Sequence, residues 1–182
     1  MKFLKSVEPI HIVLLLLLVI AGITGFVLMS EPPVDATGVA HATIPAMSVG
    51  GDGASKLATI GKAPFYFQIA VILLAGALLY MGVAPHKRDR TLLLFFAGGV
   101  GFALFVWVML FTGYEHYILT GETTVFLGFP MPTNWMFWGV WGSFAAFDLF
   151  YVIFFRRYFF TPDEEAEFDA LVEELKSERG DA

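Results

Sequence analysis

One carboxylate lies deep within an otherwise apolar stretch of the sequence. Asp148 is the only ionisable residue well inside the run from Asn134 to Phe155. An aspartate at the centre of a membrane helix costs roughly 2.5–3.5 kcal/mol on insertion scales, so such residues usually face protein and often mark ion paths. The residue type therefore indicates a contact between helices or a relay for protons or cations. The alternative is a carboxylate that is hydrated near the membrane surface or bonded to a hydroxyl. We favour a structural or partner contact for Asp148 over a role in ion transfer.

The four histidines are the candidate ligands for a membrane b-type haem. A haem between helices needs two imidazoles that face each other at membrane depth. His11 and His86 instead flank the ends of the first two apolar stretches. The other two, His41 and His116, lie in or near loops. We therefore predict no cofactor and no metal site. The alternative is haem b, with His11 and His86 as candidate ligands, since the run from His11 to Gly25 resembles the first helix of dihaem cytochrome b subunits.

The sequence carries no recognisable catalytic set. It has no glycine-rich phosphate loop with a lysine, no HExxH motif and no serine–histidine–aspartate order in a suitable context. The absence of cysteine excludes a thiol nucleophile and a disulfide. The formal net charge of −6 argues against nucleic acid as a partner, because nucleic-acid binders are typically basic. We therefore expect no catalytic activity from this chain alone.

Apolar side chains dominate the elements that must position these residues. Of the 182 residues, 57% are hydrophobic and 15% are charged, whereas a soluble domain carries about 25% charged residues. Four stretches reach the roughly 20 apolar residues that a helix needs to cross a bilayer; they cover about residues 10–29, 65–84, 91–113 and 134–155. Helices are favoured because backbone groups in lipid must be satisfied within the segment. We predict an all-α integral membrane protein, with a four-span domain over residues 1–157 and a cytoplasmic tail helix within residues 158–182.

Basic residues orient the four stretches. Nine Lys and Arg residues lie on one side of the predicted membrane, and only Lys56 and Lys62 lie in the long loops on the other. The positive-inside rule then places both termini in the cytoplasm, in a multi-pass protein of a bacterial inner membrane. A cleaved signal peptide is the alternative for the first stretch, with Lys2 and Lys5 as its basic region and Ala40-His41-Ala42 as its cleavage site. We favour a retained span, because the apolar run is too long and the site lies too far beyond it.

The acidity of the chain belongs to its tail. Residues 1–162 carry nine basic and eight acidic side chains, whereas residues 163–182 carry two basic and nine acidic ones. Thr161 and Glu164 have the spacing of a T-x-x-E capping box, with Pro162 at the first helical position, which predicts the start of a helix. An apolar stripe follows at helical spacing; it consists of Phe168, Leu171, Val172 and Leu175.

Two interpretations of this tail helix stay open. A helix that lies on anionic lipid would favour Lys and Arg, and this one is acidic. We therefore expect Phe168, Leu171 and Leu175 to dock on a partner protein. The alternative is that the tail packs on its own chain, against the link Lys87-Arg88-Asp89-Arg90.

Small residues predict where helices approach each other closely. They recur at four-residue spacing, which permits close packing in lipid; the pairs are Ala21/Gly25, Ala97/Gly101, Gly139/Ser143 and Gly142/Ala146. The cluster of Gly98, Gly99 and Gly101 predicts a tight crossing in the third stretch. The fourth stretch is rich in aromatic residues, and we expect Trp138 and Trp141 to contact another subunit together with Asp148.

Residues 91–170 contain a predicted helix, a loop that ends in Gly128-Phe129-Pro130, and a second helix that is rich in aromatic residues. The second helix contains Trp138, Gly142-Ser143 and Phe147, and a charged end follows, with Arg156-Arg157 and the acidic run from Asp163 to Asp169. This arrangement resembles the small membrane subunits that accompany some bacterial sodium:solute symporters. The resemblance covers less than half of the chain. Those subunits generally have two spans, so the first two stretches lie outside it, and Asp148 has no counterpart in it.

The resemblance implies a non-catalytic accessory subunit of a larger inner-membrane complex, in which another subunit contains the transport path. The expected partners are that larger membrane subunit and the lipid bilayer. Asp148, Trp138 and Trp141 would pack against the subunit, and the tail stripe would dock on it. Two other hypotheses stay open. One is a membrane anchor of a respiratory or other redox complex, with bound haem b; the other is a small oligomeric ion channel or transporter that uses Asp148.

Overall fold

Helices form most of the chain in a computed structural model, which describes residues 8–31, 38–49 and 53–180. The first four α-helices are α1 (Pro9–Met29), α2 (Gly53–Ile60), α3 (Ala63–Met81) and α4 (Arg90–Thr120). A short 3₁₀ turn (Pro85–Lys87) precedes α4. The fourth long helix, Met131–Tyr158, consists of α5 (Met131–Asn134), a π-helical segment (Trp135–Val140) and α6 (Trp141–Tyr158). The tail forms α7 (Pro162–Gly180).

The four predicted stretches correspond to four long helices, α1, α3, α4 and Met131–Tyr158, each long and apolar enough to cross a membrane. The helical architecture agrees with the all-α prediction. Lys2 and Lys5, which contribute to the charge argument, lie outside the described residues.

Helix ends depart from the predicted stretches for identifiable reasons. The third stretch ends at residue 113 by hydropathy, but α4 continues to Thr120, where Gly121 adopts φ +72° and ends the helix in the left-handed conformation typical of a glycine cap. The second stretch extends to residue 84, whereas α3 ends at Met81. Ala84 precedes Pro85 and is extended, with ψ 137°. A proline ring clashes with the preceding residue and disfavours the helical conformation there.

Two short hairpins lie outside the helices. Strand β1 (Val39–Ala40) pairs with β2 (Ser48–Val49), and β3 (Val125–Phe126) pairs with β4 (Phe129–Pro130), both antiparallel. In the second hairpin the two turn residues, Leu127 and Gly128, have φ +50° and +81°. Positive φ at both central residues is the signature of a type I′ turn, whose twist suits a two-residue hairpin.

Each long helix packs mainly on its neighbours along the chain: α1 on α3, α3 on α4, and α4 on the fourth helix. A buried hydrophobic cluster joins the link before α4 and the start of α4 to the end of α6, and it consists of Val83, Leu92, Phe96, Phe150 and Tyr158. The Phe150 ring lies 4.7 Å from that of Phe95 and 5.1 Å from that of Phe96, between ring centroids. We call this part of the molecule the basic end, because Lys87, Arg88, Arg90, Arg156 and Arg157 lie there.

Two glycines mark the closest approach between α4 and the fourth helix. A Cβ added to Gly99 would lie 2.7 Å from Cζ of Phe147, and one added to Gly139 would lie 2.6 Å from Cγ1 of Val106. Gly98 and Gly101 have no atom within 4 Å of an added Cβ. The predicted tight crossing is therefore made by Gly99 within its cluster, and the expected Ala97/Gly101 pair makes no close contact at its glycine.

Substitution of Gly99 tests this crossing. We expect Gly99→Val to lower the free energy of unfolding by about 1–3 kcal/mol, because the side chain must displace the Phe147 ring from a packed contact. Gly101→Val is the matched control on the same helix, since its side chain would enter open space. The measurement is reversible unfolding in mixed detergent micelles, and an equal loss for both variants would contradict the assigned crossing.

Candidate functional site

Asp89 joins the start of α4 to the end of the fourth helix. Its Oδ1 accepts hydrogen bonds from the backbone N–H of Leu92 and from the hydroxyl of Tyr158, each at 2.8 Å. Its Oδ2 accepts a hydrogen bond from Nη2 of Arg157 at 2.7 Å. The Leu92 hydrogen bond, with those from Tyr158 and Arg157, holds the pKa of Asp89 below its usual value against the opposing effect of desolvation. One ionised carboxylate therefore caps α4 and fixes the last turn of α6 beside it.

Lys87 ties the tail to the same basic end. Its Nζ donates hydrogen bonds to Oε2 of Glu164 at 2.6 Å and to the carbonyl of Phe159 at 3.3 Å. Glu164 also closes the predicted capping box, because its Oε2 accepts the Thr161 N–H at 2.9 Å while its own N–H donates to Oγ1 of Thr161 at 3.4 Å. The hydrogen bond from Lys87, followed by those from Thr161, lowers the pKa of Glu164 from 4.5 to about 2. The start of α7 is thus held on its own chain, at the link that sequence reasoning kept as the alternative docking site.

The apolar stripe of the tail lies beyond this attachment. Arg156 pairs with Glu165 through both terminal nitrogens, which completes the contacts of the first turn of α7. Farther along, Phe168, Leu171 and Leu175 are 56%, 52% and 52% exposed. The attachment to the chain therefore leaves the stripe uncovered.

A groove opens between α3 and the fourth helix, with α4 as its floor. Its volume is about 480 Å³, and most of its lining is apolar. Gln68 of α3 and Asp148 of α6 are among its few polar lining residues. Asp148 is exposed, and no hydrogen-bonding or charged group of the described residues pairs with it. The one acidic or basic residue in the predicted fourth span therefore lines an apolar groove without compensation from the described chain.

The large side chains of the fourth helix lie on two faces, of which one is buried and the other is uncovered. Phe150 is 2% exposed in the core, whereas Trp138 and Trp141 are 66% and 69% exposed. Asp148 and Val152 lie seven and eleven residues after Trp141 in α6, a spacing that places the three residues on one side of a helix. The three candidate partner residues of this helix, Trp138, Trp141 and Asp148, thus all have uncovered side chains.

The candidate haem ligands lie at the surface. His11 is in the first turn of α1 and His86 is in the 3₁₀ turn that follows α3, and both are exposed. Among residues 8–31, 38–49 and 53–180, no group of three or more His, Asp or Glu side chains could hold a metal ion. His116 lines an open cleft of about 520 Å³ at the far end of α4, together with Glu122 and Trp135.

Asn134 has a structural role that sequence reasoning missed. It is 6% exposed, and its Nδ2 donates hydrogen bonds at 2.8 Å to the carbonyls of both Phe126 and Phe129. The amide therefore anchors the β3–β4 hairpin to the start of the fourth helix. An asparagine shortly after a glycine- and proline-containing loop is the signal that could have indicated such an anchor.

Comparison of the chain with protein-family models, curated proteins and solved structures finds no match. The resemblance to symporter small subunits consequently rests on the residues between Thr91 and Ala170 alone.

The Lys87–Glu164 pair predicts how attachment of the tail depends on pH. Because the folded pKa of Glu164 is depressed, its stabilisation is fully present above about pH 4.5 and is lost as the pH falls towards about 2. Nitroxide labels at Ser177→Cys and His86→Cys, in a chain with no native cysteine, should show a broader distance distribution over that acidic range.

A neutral-pH variant separates this pair from general acid unfolding. Lys87→Gln should broaden the same distribution at neutral pH, because Glu164 then lacks its ammonium partner. Lys62→Gln is the control, since it removes the exposed pair with Glu115, 3.8 Å apart, which involves neither the tail nor the basic end. A distribution that Lys87→Gln leaves unchanged would contradict attachment through this contact.

Proposed function

We propose that the chain is a non-catalytic accessory subunit of a bacterial inner-membrane complex, in which it packs on a larger integral membrane subunit. The complex is a transporter of the sodium:solute symporter type, because residues 91–170 resemble the small subunits of that class. The four long helices cross the bilayer, and the excess of basic residues supports a cytoplasmic position for the basic end and both termini.

The uncovered carboxylate of Asp148 carries this proposal. Asp148 lies eight residues before Arg156, which places it about 12 Å from the basic end along the helix. Within a hydrocarbon core of about 30 Å, this position is close to the middle of the bilayer. A carboxylate facing lipid there costs roughly 2.5–3.5 kcal/mol, and a protein that covers it removes that cost.

The tail offers a second contact on the cytoplasmic side. Its stripe is uncovered, and the adjacent faces of α7 are acidic, with Glu167, Asp169, Glu173 and Glu174. Such a helix suits a protein surface that is apolar and rimmed by basic residues, and it does not suit anionic lipid. Because the first turn of α7 is attached to the chain, the stripe is presented at a defined distance from the membrane helices.

Purification from the native membrane in mild detergent, followed by mass spectrometry, tests the proposed function. We expect one larger integral membrane protein to accompany the chain in constant stoichiometry. Recovery of the chain without any membrane partner would contradict the proposal. Ion flux through vesicles that contain only this chain, abolished by Asp148→Asn, would instead establish a channel or transporter.

The tail contact has a separate test in the same preparation. Deletion of residues 163–182 should leave membrane insertion intact and weaken co-purification. Leu171→Gln should lower the affinity at least tenfold, because burial of a leucine contributes about 1.5–3 kcal/mol. Ala170→Gln introduces the same side chain beside the stripe and should leave co-purification unchanged; equal behaviour of the two variants would exclude docking through the stripe.

A further inference from the structure

The groove has the shape of a seat for a helix. Its lining on α3 runs from Gln68 to Leu79, a length of about 16 Å along a helix axis. The α3 wall contains the exposed Ala75, and the floor contains Ala103. Small residues let another backbone approach closely, which favours helix packing in lipid. The groove can therefore accept about three turns of a membrane-spanning helix.

Asp148 places a carboxyl group in this groove, and four of the five cations at the basic end have partners of their own. Lys87 is paired with Glu164, Arg156 with Glu165, and Arg157 with Asp89. Arg88 donates hydrogen bonds to the carbonyls of Met81 and Val83 at 3.0 and 2.8 Å, which occupies its guanidinium at the end of α3. These four cations already have partners outside the groove.

A second copy of the chain does not offer the missing charge. Residues 9–29, 63–84 and 91–155 contain no Lys or Arg. In either orientation, a second copy therefore presents no cation at the depth of Asp148. Phospholipid headgroups lie at the bilayer surface, about 12 Å from this carboxylate along the helix.

We propose that the groove between α3 and the fourth helix binds a transmembrane helix of another protein, and that this helix presents a Lys or Arg side chain to Asp148. The inference rests on the proposed function and adds the chemistry of the partner. An isolated basic residue in the middle of a membrane helix carries an insertion cost of the same order as an aspartate. Pairing compensates both charges, and the apolar walls of the groove exclude water from the pair.

Designed membrane helices test the recognition without the native partner. The purified full chain, labelled at Ser177→Cys with an acceptor dye, is reconstituted in phosphatidylcholine vesicles. The probes are donor-labelled Leu/Ala helices of about 22 residues, long enough to span the bilayer, with Lys, Leu or Glu at the centre. Energy transfer should show that the Lys helix binds roughly tenfold more tightly than the Leu helix, in line with polar contacts between membrane helices.

Matched variants locate the preference in the groove. Asp148→Leu should abolish it. The combination of Asp148→Leu with Leu149→Asp keeps the composition, moves the carboxylate by about 100° around the helix, and should lack the preference as well. Ala75 is exposed at the groove wall, so Ala75→Phe should reduce binding of both the Lys and the Leu helix several-fold without entering the core.

Four outcomes would overturn the inference. Equal binding of the Lys and Leu helices by the native sequence would show that Asp148 does not select a cation. A preference that persists in the composition-matched variant would show that any carboxylate on this helix suffices. Preferential binding of the Glu helix would show that the groove selects a carboxyl group and not a cation. Self-association of the chain that Asp148→Leu abolishes would assign the groove to a second copy. In each case a larger membrane subunit can still co-purify with the chain, so failure of this inference is distinguishable from failure of the proposed function.

Discussion

The hydrogen bonds of Asp89 fix the arrangement on which the other surfaces depend. A single carboxylate caps α4 through Leu92 and holds Arg157 and Tyr158 at the end of α6. It thereby sets the register between the two helices that form the floor and one wall of the groove. Gly99 and Gly139 allow these helices to approach closely farther from the basic end, so the polar contact and the small residues define one crossing together.

The same polar network determines which part of the tail is free. Lys87 is the last residue of the 3₁₀ turn, two residues before Asp89, and its side chain is only 11% exposed where it meets Glu164. The tail is therefore attached beside the α4–α6 junction through its first turn. Because the attachment uses Glu164 and Glu165 and leaves Phe168, Leu171 and Leu175 uncovered, the two interpretations of the tail are compatible: its start packs on the chain, and its stripe is available to another molecule.

Hydropathy and capping chemistry were enough to predict the long helices and the start of the tail, because both depend on residues close together in sequence. The four long helices and the Thr161–Glu164 box follow this logic. The role of Asp89 was missed because its partners Arg157 and Tyr158 lie far along the chain, although an aspartate before a helical run is a recognisable cap. The π-helical segment at Trp135–Val140 has no comparable local signal. Residue spacing also did not distinguish Gly99, which meets Phe147, from Gly101, which meets open space, because that distinction depends on the rotation of two packed helices.

Asp89 and Asp148 are the same residue type in opposite circumstances. Asp89 lies at the basic end, where an unpaired carboxylate would cost little, and it has three hydrogen-bond donors. In the proposed membrane arrangement, Asp148 lies near the middle of the bilayer, where an unpaired carboxylate costs most. No described residue donates a hydrogen bond to it. An apolar residue at position 148 would suit a chain that packs only on itself, because it would remove an insertion cost of roughly 2.5–3.5 kcal/mol. Lys87, Arg156 and Arg157 at the basic end are already paired, and no described residue donates to Asp148. The groove beside Asp148 is therefore the surface through which the proposed partner helix would compensate this cost.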